Sequence, residues 1–198
     1  MNPQKHLDNS GIVLIITNVI TIFLAASQGW NLKVIMLIYA IQNLIIGAFH
    51  ARKILDLKKF STKGFKLNGK RPEATEATKI QVAIFFLVHF GIFNIAYVIT
   101  LIGSSKGLIG PAGVGILLAS ITFLINHYYS YKYNKKTDST KVRNIGHMMF
   151  FPYFRIIPMH LTIALGIFLA KSTEALVFFM VLKTIADWIM HKLEHKVM

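Results

Sequence analysis

The sequence predicts an all-α membrane protein in which six transmembrane helices form one bundle, with both termini in the cytoplasm. Of its 198 residues, 54% are hydrophobic and only 15% are charged, whereas about 25% of the residues in a soluble domain are charged. The apolar residues form long runs, which is the pattern of an integral membrane protein. Basic residues are abundant in alternate connections between these runs, which indicates a topology.

Six apolar segments have the ~17–25 residues that are needed to cross a ~30 Å hydrocarbon core. These predicted spans cover about residues 11–27, 33–52, 80–103, 111–131, 151–170 and 175–195. We find no internal sequence repeat of the kind that many transporters contain. The whole chain, residues 1–198, is therefore expected to form a single transmembrane domain.

Lysine and arginine are concentrated in two connections, residues 53–79 and 132–150. Because cytoplasmic loops carry the excess of basic residues, these loops and both termini are expected in the cytoplasm, in a multi-pass protein of the cell membrane. The net charge of +14 then favours contact with anionic lipid headgroups and not with nucleic acid. The chain contains no cysteine, which excludes disulfides and thiolate metal sites.

Ionisable side chains recur inside the apolar segments, where they are costly and usually functional. His89 lies in the third span and His160 in the fifth, and the last span carries a four-residue repeat of Lys183, Asp187, His191 and His195. At 3.6 residues per turn, such a repeat forms one stripe along a helix. The helical rise puts His89, His160 and Asp187 roughly 10–15 Å below the cytoplasmic face, with His191 one turn shallower.

This shared depth predicts a metal site formed by His89, His160, Asp187 and His191. Imidazole binds zinc, iron or copper, and a carboxylate balances the charge of the metal ion. Residues that could surround these ligands are Tyr39, Asn43, His127, Arg155, Lys183, Glu194 and His195. Taken singly, each polar residue is better explained by a hydrogen bond between helices. For the set of four, the common depth favours a site.

Four short motifs resemble an uncharacterised family of prokaryotic integral membrane proteins, domain of unknown function 6498. The first comprises Tyr39 and Asn43, and the second comprises Phe85, Phe86, His89, Gly91 and Phe93. The third comprises Pro152, Tyr153, Arg155, Ile156 and His160, and the last comprises Lys183, Asp187 and His191. The resemblance covers most of the chain and implies no known activity.

The chain departs from the pattern of this family at three positions. Ala40 replaces a tryptophan, Gln42 a glutamate and Phe90 a tyrosine. If that glutamate is a ligand or a proton carrier in the family, we do not expect the same role of Gln42, which carries no charge.

The sequence favours an intramembrane metalloenzyme or a metal-dependent redox protein that uses zinc, iron or copper. One alternative is a transporter for a metal ion or a proton, with the same groups as its transit site. Another is a b-type haem protein with His89 and His160 as axial ligands, although haem is less favoured than a bare metal ion. The last is a non-catalytic subunit of a membrane complex, and a homo-oligomer is compatible with each of these.

Overall fold

The fold is mostly helical. The computed structural model describes residues 15–16, 18–23, 25, 27, 29–30, 32–103, 112–157, 177, 180–186 and 188–189, but not the side chains of residues 137–140 and 155. Its elements are the helices α1 (Leu32–Leu55), α2 (Glu76–Gly103), α3 (Gly113–Thr140) and α4 (Ile145–Phe150), a 3-10 helix (Phe151–Arg155), and the strands β1 (Phe60–Ser61) and β2 (Arg143–Asn144). The described residues within 15–27 and within 177–189, the latter named here the C-terminal segment, are also helical.

Helix α1 lies at the centre of the described structure. In its most apolar stretch, 61% of the residues are buried, compared with 28% in α2. It packs against α2, α3, α4 and the 3-10 helix. Residues 34–40 belong to one apolar core, which includes Phe123 and Met180. The last turns of α1 belong to a second core, which includes Phe86 of α2 and Met148 of α4.

Gly47 allows α1 and α2 to pack closely. A Cβ atom at this position would lie 2.8 Å from Cδ1 of Phe90, and small residues at such contacts are typical of helix packing in membranes. Lys79, near the start of α2, donates a hydrogen bond of 2.9 Å to the carbonyl of Leu57, just beyond the end of α1. The two helices are therefore antiparallel.

The two basic connections meet at one end of the bundle and form a folded cap. Strand β1 pairs in parallel with β2, so that Phe60 is opposite Arg143. Asn144 accepts a hydrogen bond from the amide of His147, which caps α4, and its amide donates to the carbonyl of Lys63 at 2.7 Å. The buried His50 of α1 donates from Nε2 to the carbonyl of Met148 at 2.6 Å, which ties the cap to the bundle.

A charged cluster joins the same ends of α1 and α3. Asp56 accepts a short hydrogen bond from the hydroxyl of Tyr131 and forms ion pairs with Arg52 at 3.5 Å and Lys135 at 3.2 Å. The Tyr131 hydroxyl and the Asp56 carboxylate raise the pKa of Lys135 above its usual value. This cluster depends on α3 continuing past Tyr131.

Helix ends differ from the predicted span ends. The predicted spans 33–52 and 80–103 lie inside α1 and α2, and 113–131 of the fourth lies inside α3. The segment 132–150, expected as a basic loop, contains the end of α3, strand β2 and α4. Hydropathy detects only the apolar part of a helix, and no glycine or proline interrupts residues 116–140. Helices α1 and α2 are both long and apolar enough to cross a membrane.

We predict that Gly47→Ala destabilises the protein by about 1–3 kcal/mol, because the new methyl group meets the buried ring of Phe90. Gly91→Ala is the matched control, since no atom lies within 4 Å of a Cβ at that helical position. It should be neutral or stabilise the protein by up to about 1 kcal/mol. Thermal unfolding in detergent measures both. Equal effects of the two substitutions would contradict the close packing at Gly47.

Candidate functional site

Five buried polar residues of α1, α2 and the C-terminal segment are named here the buried polar cluster. It comprises Tyr39, Gln42, Asn43, Asn94 and Lys183, each of which is fully buried. The ammonium group of Lys183 lies 4.4 Å from the centre of the Tyr39 ring and 3.5 Å from Oε1 of Gln42. A lysine that is removed from water needs such contacts, because an isolated buried charge is very costly.

The packing of α1 on α2 puts Asn43 and Asn94 at the same level. Gly47 contacts Phe90, and the two helices run in opposite directions. One turn back from Gly47 is Asn43, and one turn on from Phe90 is Asn94, so both face the contact between the helices. Asn94 donates a hydrogen bond of 2.8 Å to the carbonyl of Phe90, and this bond orients its carboxamide.

Several carboxamide atoms of the cluster have no hydrogen-bond partner. Within the part of the chain that the structure describes, these atoms are Nδ2 and Oδ1 of Asn43, Oδ1 of Asn94 and Nε2 of Gln42. Asn18 is also fully buried, and neither its Nδ2 nor its Oδ1 atom has a hydrogen-bond partner among the described residues. An unsatisfied buried polar group costs about 1–3 kcal/mol, and buried polar groups of native proteins normally have a partner.

His89 lies elsewhere, on an exposed face of α2. Its Nδ1 atom is 2.7 Å from the hydroxyl oxygen of Tyr153, which the 3-10 helix presents to α2. The ring of Phe85 stacks on the imidazole, with 5.3 Å between centroids and 15° between planes. The ring of Phe93 meets it edge-on at 5.1 Å. His89 is thus held between aromatic rings and a phenol.

The sequence-predicted residues have different surroundings in the structure. Tyr39, Asn43 and Lys183 belong to the buried polar cluster, whereas His127 stacks on Phe49 with 6.4 Å between centroids. The other predicted residues, His160, Asp187, His191, Glu194 and His195, lie outside the described residues, as does the side chain of Arg155. Among the described residues, no group of three or more histidine, aspartate or glutamate side chains could hold a metal ion.

A family model matches residues 1–198. The chain belongs to DUF6498, a family of unknown function. Neither the curated proteins nor the solved structures provide a match.

In this DUF6498 member, residues of the four motifs contact each other in two pairs. The first and last motifs meet where Lys183 contacts Tyr39, and the second and third meet where His89 contacts Tyr153. Gln42, which replaces the glutamate of the motif, is the residue whose side-chain oxygen lies next to Lys183. A glutamate at this position would be close enough to form an ion pair with that lysine.

The site residues predicted from the sequence do not include Asn94, Asn18 and Tyr153. A usable signal exists for the two asparagines, since each interrupts an apolar segment with a carboxamide. For Tyr153 the signal is its motif, in which it precedes Arg155. The contact between Tyr153 and His89 is tertiary, and no spacing in the sequence indicates it.

We predict that Asn43→Leu raises the stability of the protein by about 1–3 kcal/mol, because it removes a buried carboxamide whose two polar atoms are unpaired among the described residues. Asn144→Leu makes the same chemical change where the carboxamide caps α4, and it should cost about 1 kcal/mol. Thermal unfolding in detergent measures both effects. A loss of stability for Asn43→Leu would mean that its carboxamide is already paired.

Proposed function

We propose that the chain is a multi-pass protein of the cell membrane, with the six spans predicted from the sequence. The support comes from the apolar surface of its helices. Ile84, Val88 and Ile99 of α2 are 56%, 55% and 65% exposed, and Val114 of α3 is 68% exposed. A protein in water rarely tolerates an apolar surface of this extent, whereas lipid chains solvate it without cost.

We further propose that the cap and both termini are cytoplasmic. The two basic connections lie at one end of the bundle, joined by the β1–β2 pairing and by the ion pair of Asp56 with Lys135. An excess of lysine and arginine on one side of a membrane is typical of its cytoplasmic face. Lysines 58, 63, 66 and 70 are exposed on the cap and provide a surface for anionic lipid headgroups.

Within this framework, the function we propose is the binding of a small polar ligand in the buried polar cluster. The observation that carries the proposal is the group of unpaired carboxamide atoms of Gln42, Asn43 and Asn94. A structural cluster would satisfy its own hydrogen bonds, because each one left unsatisfied lowers the stability of the fold. A binding site retains such groups for its ligand.

The chemistry of the cluster restricts the ligand. Asn43 offers both a donor and an acceptor, Gln42 offers the donor Nε2, and Asn94 offers the acceptor Oδ1. Lys183 adds donors and positive charge beside Gln42. The ligand is therefore a small molecule with hydrogen-bond donors and an acceptor or anionic group.

Native mass spectrometry of the protein purified in mild detergent tests this proposal. We expect the wild type to carry a bound small molecule, and both Asn43→Leu and Lys183→Met to lose it. Lys66→Met, which changes an exposed lysine of the cap, is the matched control and should retain it. A wild-type protein that never carries or takes up a small polar molecule, or an Asn43→Leu variant with unchanged occupancy, would refute the proposal.

A second candidate function is that of an intramembrane metalloenzyme or a metal-dependent redox protein. The observation in its favour is that the C-terminal segment directs Lys183 towards α1. The four-residue repeat of the sequence predicts Asp187 and His191 on the same helical face as Lys183. With His160 and His89 these residues form the predicted ligand set. Zinc in such a site would activate a water molecule, and iron or copper would suit oxidation of an apolar substrate.

Elemental analysis of the purified protein tests the metal proposal. We expect a zinc, iron or copper content near one equivalent per chain, and its loss in Asp187→Asn and His191→Ala. His147→Ala, at an exposed histidine of α4, should keep the metal. A metal content that is unchanged in Asp187→Asn and His191→Ala, or that is negligible in the wild type after metal is added back, would rule out this site.

A further inference from the structure

The exposed face of α2 around His89 combines one polar group with an apolar surface. Val88 is 55% exposed and Ile92 is 60% exposed beside it. His89 is nine residues after Ile80, where the predicted span begins, which is about 13 Å along the helix axis. In the membrane proposed above, this imidazole faces hydrocarbon, where an unsatisfied polar group is expensive.

The two nitrogens of the His89 ring differ in their surroundings. Nδ1 is hydrogen-bonded to the hydroxyl of Tyr153 at 2.7 Å. Nε2 has no hydrogen-bond partner among the residues that the structure describes. When the tyrosine donates to Nδ1, the ring carries its proton on Nε2 and offers a donor towards the lipid. In this tautomer, the ring can donate to an acceptor that arrives from the membrane.

Aromatic side chains around His89 select the shape of that partner. Phe85 stacks on one face of the imidazole, and Phe93 meets its edge. Phe85 is 51% exposed and Phe93 is 41% exposed, so both rings also face the lipid. Such rings favour a flat π-system in offset or edge-on contact, and disfavour the saturated glycerol region of a phospholipid.

We propose that this face of α2 binds the head ring of a lipid-soluble quinone, with Nε2–H of His89 donating to a quinone carbonyl. The ring of the quinone packs against Phe85 and Phe93, and its isoprenoid tail stays in the bilayer. The proposal concerns binding only, and it rests on the membrane insertion proposed above. It is independent of the buried polar cluster.

A quinone and a metal ion cannot use Nε2 of His89 together. A quinone carbonyl needs the proton on Nε2, whereas a metal ion needs the lone pair of that atom and hence the proton on Nδ1. The quinone proposal therefore removes His89 from the metal ligand set. It leaves His160, Asp187 and His191 available for a metal.

Equilibrium binding of a ubiquinone with a single isoprenoid unit to the detergent-purified protein tests the proposal. We expect saturable binding that weakens roughly five- to tenfold in His89→Leu, the loss of one hydrogen bond. Tyr153→Phe keeps the ring but releases Nδ1, and it should weaken binding as well. His147→Leu, an exposed histidine in the cap, should bind like the wild type. Thermal unfolding should show that His89→Leu is folded, with a loss of about 1 kcal/mol for the missing hydrogen bond to Tyr153.

Infrared spectroscopy of the bound quinone provides a readout that a purely structural role of His89 would not change. Hydrogen bonding shifts the carbonyl stretching band to lower frequency, and this shift should disappear in His89→Leu. Quinone that only partitions into detergent, equal binding by wild type and His89→Leu, or a phospholipid that alone occupies the face would overturn the proposal. Failure of the quinone proposal and failure of the membrane proposal are distinguished by alkaline carbonate extraction of native membranes. This experiment tests membrane insertion without quinone.

Discussion

The burial of α1 on nearly all sides is the constraint on which the rest of the structure depends. A helix that is surrounded by others cannot turn its polar residues towards water or headgroups. Gln42 and Asn43 in its middle therefore have to face neighbouring helices. One side of α1 meets Lys183, and the side that contains Gly47 meets α2. The buried polar cluster follows from the position of α1 as much as from its sequence.

The cap closes the end of the bundle at which α1 ends and α2 begins. Phe65 packs against Gly146, where a Cβ atom would lie 2.9 Å from Cδ2 of the phenylalanine ring, and His50 bonds to the carbonyl of Met148. The turn at Asn68 and Gly69 has positive φ at both residues, as a type I′ two-residue hairpin turn requires. One basic connection joins α1 to α2, and the other follows α3. These contacts join the two connections into one unit that holds the ends of α1, α2 and α3 together.

The sequence predicted the helices better than their contacts. Long apolar runs identified α1 and α2 because their hydropathy is a local property, and Lys183 and Asn43 were selected because polar groups in such runs are rare. The end of α3 was missed for a physical reason. Residues 132–140 are polar but helical, and their role is to bring Lys135 to Asp56. The pairing of His89 with Tyr153 joins residues far apart in the chain, and only the fold reveals it.

The contrast between Lys183 and His89 shows how one bundle can use polar residues in two ways. Lys183 lies inside, against the Tyr39 ring, so its interactions were made during folding, and only a small molecule that enters the bundle can reach it. His89 lies outside with one nitrogen engaged, so in the proposed membrane setting a partner of the other nitrogen would reach it through the lipid. A buried group selects its ligand by hydrogen bonding, since water is excluded. A lipid-facing group first selects ligands that dissolve in lipid, because only apolar molecules are concentrated around that group. Hydrogen bonding then selects among these ligands.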